Sequence, residues 1–464
     1  MSDADRVAVR YQKEGTFGTT PNADLAAKTT VSVDQTDNSY NDAVEDLSVF
    51  AAGQQILVSG FTDTNNNGYK NVVSATANKM IVRETLVTEA LGDTVSILSA
   101  MKEIRFTGES LKQETDTTPT NEIRDDRQIG ETKRTSVRGS GGIEGELSYG
   151  VYDDFIESSL QSAAWSTAVT DTQTTFSMAN GDNSINDSGS GFVAAGFTAD
   201  QWIRTSGFTE DENNAYFKIV SVAAGKMVLK GGSGGAVATE AAGDTVTILM
   251  GPQITNGTTK QSYSIEKEFT DNTTDFEIDK GFYPNEFTLT TEAESLINVS
   301  FGYMGKNSAS ASATANTGRA KTAPTNPVFS SVDDVTAVLE NLTSTGVISL
   351  DFTINNKMRN RAIVGTLGPN SMGSGSVDIT GTLQAYYSNS TMIDKYLNFT
   401  DSNLALVLED GDGNGYVIDF PKINFTDGER LAGGTNTDVV VNLPFSATRY
   451  ATEDVTVRIA RFDA

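Results

Sequence analysis

The sequence predicts an all-β chain, and three observations predict it. Short runs of alternating polar and apolar residues recur along its length. Glycine, of which there are 42, collects with threonine, serine and asparagine between those runs. Two duplications are nested within one another. Alternation with a period of two, bounded by Gly, Asn and Asp, marks half-buried strands joined by tight turns; VDITGTL (377–383), LALVL (404–408) and YVIDF (416–420) are clear cases.

From the N-terminus, the first organised unit is residues 27–99, whose copy is 165–250. SGFTDTNNNGY (59–69), VVSATANKM (72–80) and EALGDTVSIL (89–98) return as SGFTEDENNAY (206–216), IVSVAAGKM (219–227) and EAAGDTVTIL (240–249). Ser59/Ser206 to Met80/Met227 align without a gap, and the loop 231–235 (GGSGG) accommodates the four extra residues of the later copy. Each copy reads as a small β module. Trp202 alternates like a strand residue, so core packing is expected of it, with Leu57 or a neighbour as its counterpart.

Removing both modules leaves a chain that is itself duplicated. GGIEGELSYG (141–150) leads into VYDDFIESSLQSAA (151–164), and GSVDITGTLQAYY (375–387) into SNSTMIDKYLNF (388–399). In each, an alternating strand gives way to a helix with one apolar face: Phe155, Ile156 and Leu160 in the first, Met392, Ile393, Tyr396 and Leu397 in the second. Asn389 or Ser390 is the expected N-cap of the second. Residues 275–306 then parallel 415–449. The expected organisation is a first domain made of 1–26, 100–164 and 251–306, interrupted by modules 27–99 and 165–250. A linker, 307–339, separates it from a second domain, 340–464. A module is spliced in most readily where its ends are exposed, so both modules are expected to project.

Composition removes whole classes of function. Without Cys or His, thiol nucleophiles, disulfides, zinc sites and every His-dependent triad are excluded. No enzyme, metal or cofactor is expected. Lys+Arg 34 against Asp+Glu 61, a net charge of −27, opposes tight nucleic-acid binding, which needs cations to displace counterions from phosphate. The charge suits a wall past which DNA slides, although solubility alone accounts for it equally well. Each module carries −5, which leaves −17 on the remainder. No apolar run approaches the roughly 20 residues that span a bilayer, so no membrane anchor is expected. The opening MSDADRVAVRYQKEG lacks the basic patch and apolar stretch of a signal peptide. That sets the expectation of a protein made and released in a cytoplasm, or delivered as part of a larger particle.

RYQKEGTFGTTP (10–21), MKEIRFTGESLKQETDTTPTNEIRDDRQ (101–128), LSYGVYDDFIESSLQ (147–161), SFGYMGK (300–306) and TNPVF (325–329) together resemble the tail tube proteins of long, non-contractile bacteriophage tails. The resemblance covers nearly the whole chain outside the modules. It implies two tandem tail-tube-type β-sandwich or barrel domains, each with one flanking helix. It also implies a structural virion protein that assembles into stacked rings, the conduit for DNA ejection. Most members give one domain to a six-domain ring, so a chain with two implies a trimer of pseudo-sixfold symmetry. The implied partners are further copies of itself, the tape measure protein, the tail terminator and distal tail proteins, with double-stranded DNA passing through unbound.

A long hairpin loop of each domain is implied to reach the next ring. The first would be 112–137, with Asn121, Arg124, Asp125, Asp126, Arg127, Lys133 and Arg134. The second would be 355–374, with Asn356, Lys357, Arg359, Asn360 and Arg361. Both are charged, poor in core residues and set between strands; a solvated hairpin with no partner is the plainer reading. Asp410–Gly415 opens like a calcium loop, but its twelfth position, where a bidentate carboxylate is needed, is Pro421; a hairpin turn is expected there. The glycines at 139, 141 and 142 precede a strand, not the helix of a phosphate loop, and mark a close backbone approach or a bulge. The competing function is a secreted or surface β-repeat protein of adhesin type. A carboxylate-dependent glycosidase finds no cleft-forming pattern in its support.

Overall fold

Two strands change sheets midway, and they organise the molecule. In the computed structural model, which describes residues 6–464 except 273–274, 317–318, 342, 345, 433 and 436, strand Phe276–Glu292 begins beside Tyr263–Phe269 and ends beside Asn298–Gly305, with its register shifting between Pro284 and Glu286. Proline cannot donate to a ladder and sits where a strand bends. Strand Gly415–Phe425 repeats the device: it begins beside Ser402–Glu409 and ends beside Val439–Ala447, with Pro421 at the register shift of the first pairing, between Phe420 and Ile423.

Each half is therefore a pair of sheets face to face. One sheet of the first half orders Val7–Lys13, Tyr263–Phe269, Phe276–Glu292 and Asn307–Ala311. Its counterpart in the second half orders Val335–Glu340, Ser402–Glu409, Gly415–Phe425 and Arg458–Phe462. The other two sheets are fused. Antiparallel pairing runs without a break through Lys112–Pro119, Thr132–Glu146, Asn298–Gly305, Phe276–Glu292, Val347–Asn355, Asp378–Tyr386, Val439–Ala447 and Glu429–Ala432. The seam between halves is the pairing of Glu286–Glu292 with Ser349–Asn355. One hydrophobic core extends across it, from Val9 to Ile459, and Phe287 and Phe352 meet edge to face over the seam at 5.7 Å. Phe276–Glu292 is buried on alternate residues through its second part, as the period-two pattern requires.

The expected boundaries shift in three places. The second half opens at Val335, because Val335–Glu340 pairs with Ser402–Glu409. Gln253–Thr255, expected in the first domain, pairs with Arg458–Phe462 of the second half. The stretch 307–339 is no free spacer: its Ala and Ser residues form strand Asn307–Ala311, and Ala320–Lys321 runs parallel to Met101–Lys102. Phe329 is wholly buried.

Both helices occur. Asp153–Ser159 is buried on every side, more than an amphipathic stripe requires, and Phe155 packs among Tyr11, Tyr263, Phe301 and Tyr303. Thr391–Leu397 buries Ile393 but leaves Leu397 exposed. Ser390 holds its N-cap position, while it is Asn389 whose side chain accepts the Thr391 N–H, at 2.9 Å.

The two modules have cores of their own, gathered around Tyr40, Ile56 and Met80 in one and Phe192, Phe217 and Met227 in the other. The motif that closes each copy has a shared task. Glu89 accepts hydrogen bonds from the Thr62 and Asp63 N–H groups and from the Asn66 amide; Glu240 does the same for Thr209, Glu210 and Asn213. Neither module simply projects. Strand Val95–Ile104 leaves the first module and continues into the sheet of Val7–Lys13. The second module lays Trp202 and Tyr216 against Leu339, Val407, Val417 and Phe462 of the second half.

Candidate assembly surfaces

The fused sheet has one face in the core and one turned away. Alternation places Val137, Ile143, Phe287, Leu289, Leu350, Phe352, Leu383 and Leu443 inward. On the opposite face, Glu114, Asp116, Glu144, Glu146, Glu286, Glu292, Asp351 and Asp378 stand among Ser, Thr and Asn. Below the register shift at Asp116/Thr117, the basic residues of that face are Lys112 and Arg138, and Arg138 is held by Glu114 and Asp116 at 2.9 and 2.6 Å. The outward face is strongly acidic, a property no composition could place. At its first edge the glycine cluster marks a close approach: a Cβ on Gly139 would lie 2.5 Å from the Phe282 ring, and one on Gly141, at φ +125°, 2.3 Å from the Ser110 carbonyl.

Both predicted loops emerge at one end of this sheet. Lys112–Pro119 and Thr132–Glu146 form a hairpin whose tip carries Asn121, Arg124, Asp125, Asp126 and Arg127, all exposed. Arg124 grips Asp126 with two nitrogens, at 3.0 and 2.7 Å, and Arg127 sits at φ +58°. Lys133 pairs with Glu131 at 2.8 Å, and Arg134 is exposed. The second loop is a smaller hairpin, Arg359–Arg361 against Ser371–Gly373, with Asn360 and Arg361 exposed and Arg359 donating to the Ser374 carbonyl. The two loops touch, since the Val137 N–H donates to the Leu367 carbonyl at 3.0 Å.

Asn356 departs from the expectation. It is buried, and its amide donates to the Ser159 carbonyl at 2.8 Å, so it ties the second loop to the first helix. Lys357 pairs with Asp378 at the base of its strand, 2.8 Å away. The charged pattern hid a different set: Ile123, Ile129, Ile363 and Val364 stand exposed at the tips of these loops. An isolated apolar residue in a charged loop was the available signal.

Two buried aspartates, one from each half, sit in different surroundings. Asp279 and Asp419 both lie in the strands that change sheets, and both are buried. Asp279 takes a hydrogen bond from Ser308 and has Lys267 at 4.0 Å; burial raises its pKa from the ordinary 3.8 to about 6, against the opposing pull of Ser308 and Lys267. Asp419 instead receives the Trp202 indole N–H at 3.1 Å and the Lys218 ammonium at 2.8 Å, both from the second module. Glu453 and Arg458 complete the cluster. Gap-free alignment back from Ser59/Ser206 makes Gln55, not Leu57, the counterpart of Trp202, and the two strands share one burial pattern. Asp410, in the calcium-like loop, spends an oxygen on the N–H groups of Asp412 and Asn414 in a hairpin turn.

The family model of the phage tail tube protein matches the chain twice in succession, over residues 4–218 and 222–447. The chain belongs to the phage tail tube protein family. Two successive matches fit the two-domain all-β architecture, and membership makes the protein a structural component of a bacteriophage virion tail. No curated protein matches it. In this tail tube protein, among the described residues, no helix is long and apolar enough to cross a membrane.

Proposed function

We propose that this tail tube protein closes into a ring of three copies, that rings stack into a tube, and that the tube conducts DNA with no catalytic role. One observation carries the reading: two tube domains are already joined edge to edge inside one chain. Strands Lys112–Pro119 and Glu429–Ala432 are left at the outer edges of the fused sheet. Unpaired edges are a hazard that closure removes, and heterologous contacts generate a ring when the rotation closes. The family resemblance calls for six tube domains, which three such chains supply.

The acidic face is then the lumen. Carboxylates facing DNA, which carries about one charge per 1.7 Å of axis, keep it from adhering as it passes. The two hairpins at one end of the sheet are the contacts to the next ring, with tape measure, terminator and distal tail proteins as further partners and assembly in the host cytoplasm. Electron microscopy of the purified protein, with symmetry determined from the images, tests this. Hollow tubes with three chains per ring are expected; six chains per ring, or no tubes at any concentration, would overturn it.

A further inference from the structure

We infer that the Lys218 side chain condenses with the Asp419 carboxyl into an amide cross-link, with Glu453 as the proton carrier. The bond ties the second module covalently to the second half. It is internal to one chain, so it stands or falls independently of the ring proposed above.

Two cross-strand pairs bring the groups together. Trp202 is directly opposite Lys218 within the module, and Asp419 is directly opposite Arg458 within the second half. Directly opposed side chains share a face of their sheet, and the two pairs meet where the module packs on the half. Lys218 Nζ lies 2.8 Å from Asp419 Oδ2. One C–O bond of about 1.2 Å separates that oxygen from the carboxyl carbon, so the nitrogen is within about 4 Å of the atom it attacks. Glu453 lies against the same ammonium, with its oxygens 2.7 and 3.0 Å away. The side chains of Lys218, Asp419 and Glu453 are 8%, 1% and 6% exposed. Groups held this way react without the entropy cost of an encounter.

The surroundings suit the step. Trp202 donates its indole N–H to Asp419 Oδ2 at 3.1 Å, and the Arg458 guanidinium stands 3.6 Å from the same oxygen. Both are placed to steady the negative charge that this oxygen gains during attack. Asp419 Oδ1 is buried and has no hydrogen-bond partner among the described residues, which makes it the leaving oxygen. Lys218, Asp419 and Glu453 line one cavity of about 330 Å³, and the expelled water departs into it. The buried pair of the first half lacks this arrangement: Lys267 is 4.0 Å from Asp279 and gives its ammonium to the Leu111 carbonyl at 2.9 Å.

Protons and electrons balance. Glu453 takes one ammonium proton and passes it to Asp419 Oδ1, which leaves a neutral amine against a neutral carboxyl. The amine lone pair forms the N–C bond at the Asp419 carboxyl carbon. Glu453 then carries a second proton from that nitrogen to Oδ1, whose C–O bond breaks with its electron pair, and water leaves. Of the three ammonium protons, one stays on the amide nitrogen and two leave in the water. Glu453 ends ionised, as it began, and nothing is oxidised or reduced.

Intact mass spectrometry of the denatured wild-type chain tests this. Its mass should fall short of the sequence mass by one water molecule, and a tryptic digest should contain a branched peptide joining the segments around Lys218 and Asp419. Lys218→Arg and Glu453→Gln should each restore the full mass and the two separate peptides. The wild-type measurement decides the matter even if a variant folds poorly. A folded wild-type chain of full mass, with cleavage after an unmodified Lys218, would show an ion pair only and overturn the cross-link. A Glu453→Gln chain that links as completely as the wild type would overturn the step as written.

Discussion

Lys218 of the second module and Asp419 of the second half lie 2.8 Å apart, both buried, with the Trp202 indole N–H on the same carboxylate. A buried carboxylate is tolerated only while its partners remain, and removing one partner of such a pair costs about 3–5 kcal/mol. We predict that Lys218→Met lowers unfolding stability by about 3 kcal/mol and that Trp202→Ala costs a similar amount by opening a cavity. Urea denaturation measures both. By the same reasoning, deleting 165–250 uncovers Leu339, Val407 and Phe462, so the truncated chain should aggregate. A soluble, well-folded truncation would show that the docking contributes little.

Asp279 predicts a pH dependence of opposite sign to ordinary carboxylates. Its folded pKa, about 6, lies above the ordinary 3.8 because it is buried. The folded state therefore binds the proton more tightly, and the stability contributed is complete below about pH 4 and lost as pH rises through about 6. Two units correspond to about 3 kcal/mol at most. Asp279→Asn, which mimics the protonated form, should gain on the wild type as pH rises from 4 to 7. Denaturation curves of both proteins across that range supply the test, and a constant difference would contradict the assignment.

Exposed apolar side chains of the two halves gather at the ends of the fused sheet. Ile123, Ile129, Ile363 and Val364 occupy the loop end; Leu296, Tyr386, Leu397 and Phe399 occupy the opposite one. Head-to-tail stacking would cover both. Ile123→Asp with Val364→Asp should leave thermal stability unchanged, since neither residue packs in its own chain, yet should shorten the tubes seen by microscopy. Tubes of undiminished length would remove these residues from the contact.

Charge on the outward face should govern how DNA behaves inside the tube. Glu144→Lys, Glu286→Lys and Asp351→Lys together should still permit assembly, because none of the three packs in the core. Tubes of this variant should retain short duplex DNA at low salt and release it as salt screens the attraction over about 8–10 Å. Wild-type tubes that retain DNA equally well would rule out repulsion as the means of passage.

The sequence by itself determined the all-β class, the doubled architecture, the motifs that the two modules share and both helices. Each of these is written locally, in period-two alternation, in turn residues, or in strings that recur. Strand faces were legible for the same reason: Phe287, Leu289 and Phe352 alternate with Thr288, Thr290 and Thr353. Tertiary structure alone decided what lies beside what. Alternation says which side chains share a face, not which strand is the neighbour, so neither the seam of Glu286–Glu292 with Ser349–Asn355 nor the single core across it was legible. The acid-rich face depended on that order too, since it gathers Glu144, Glu286, Asp351 and Asp378 from strands far apart in the chain. Trp202 was readable as a packed residue, but its partner Asp419 lies 217 residues away, and a contact between distant segments leaves no periodic trace in either.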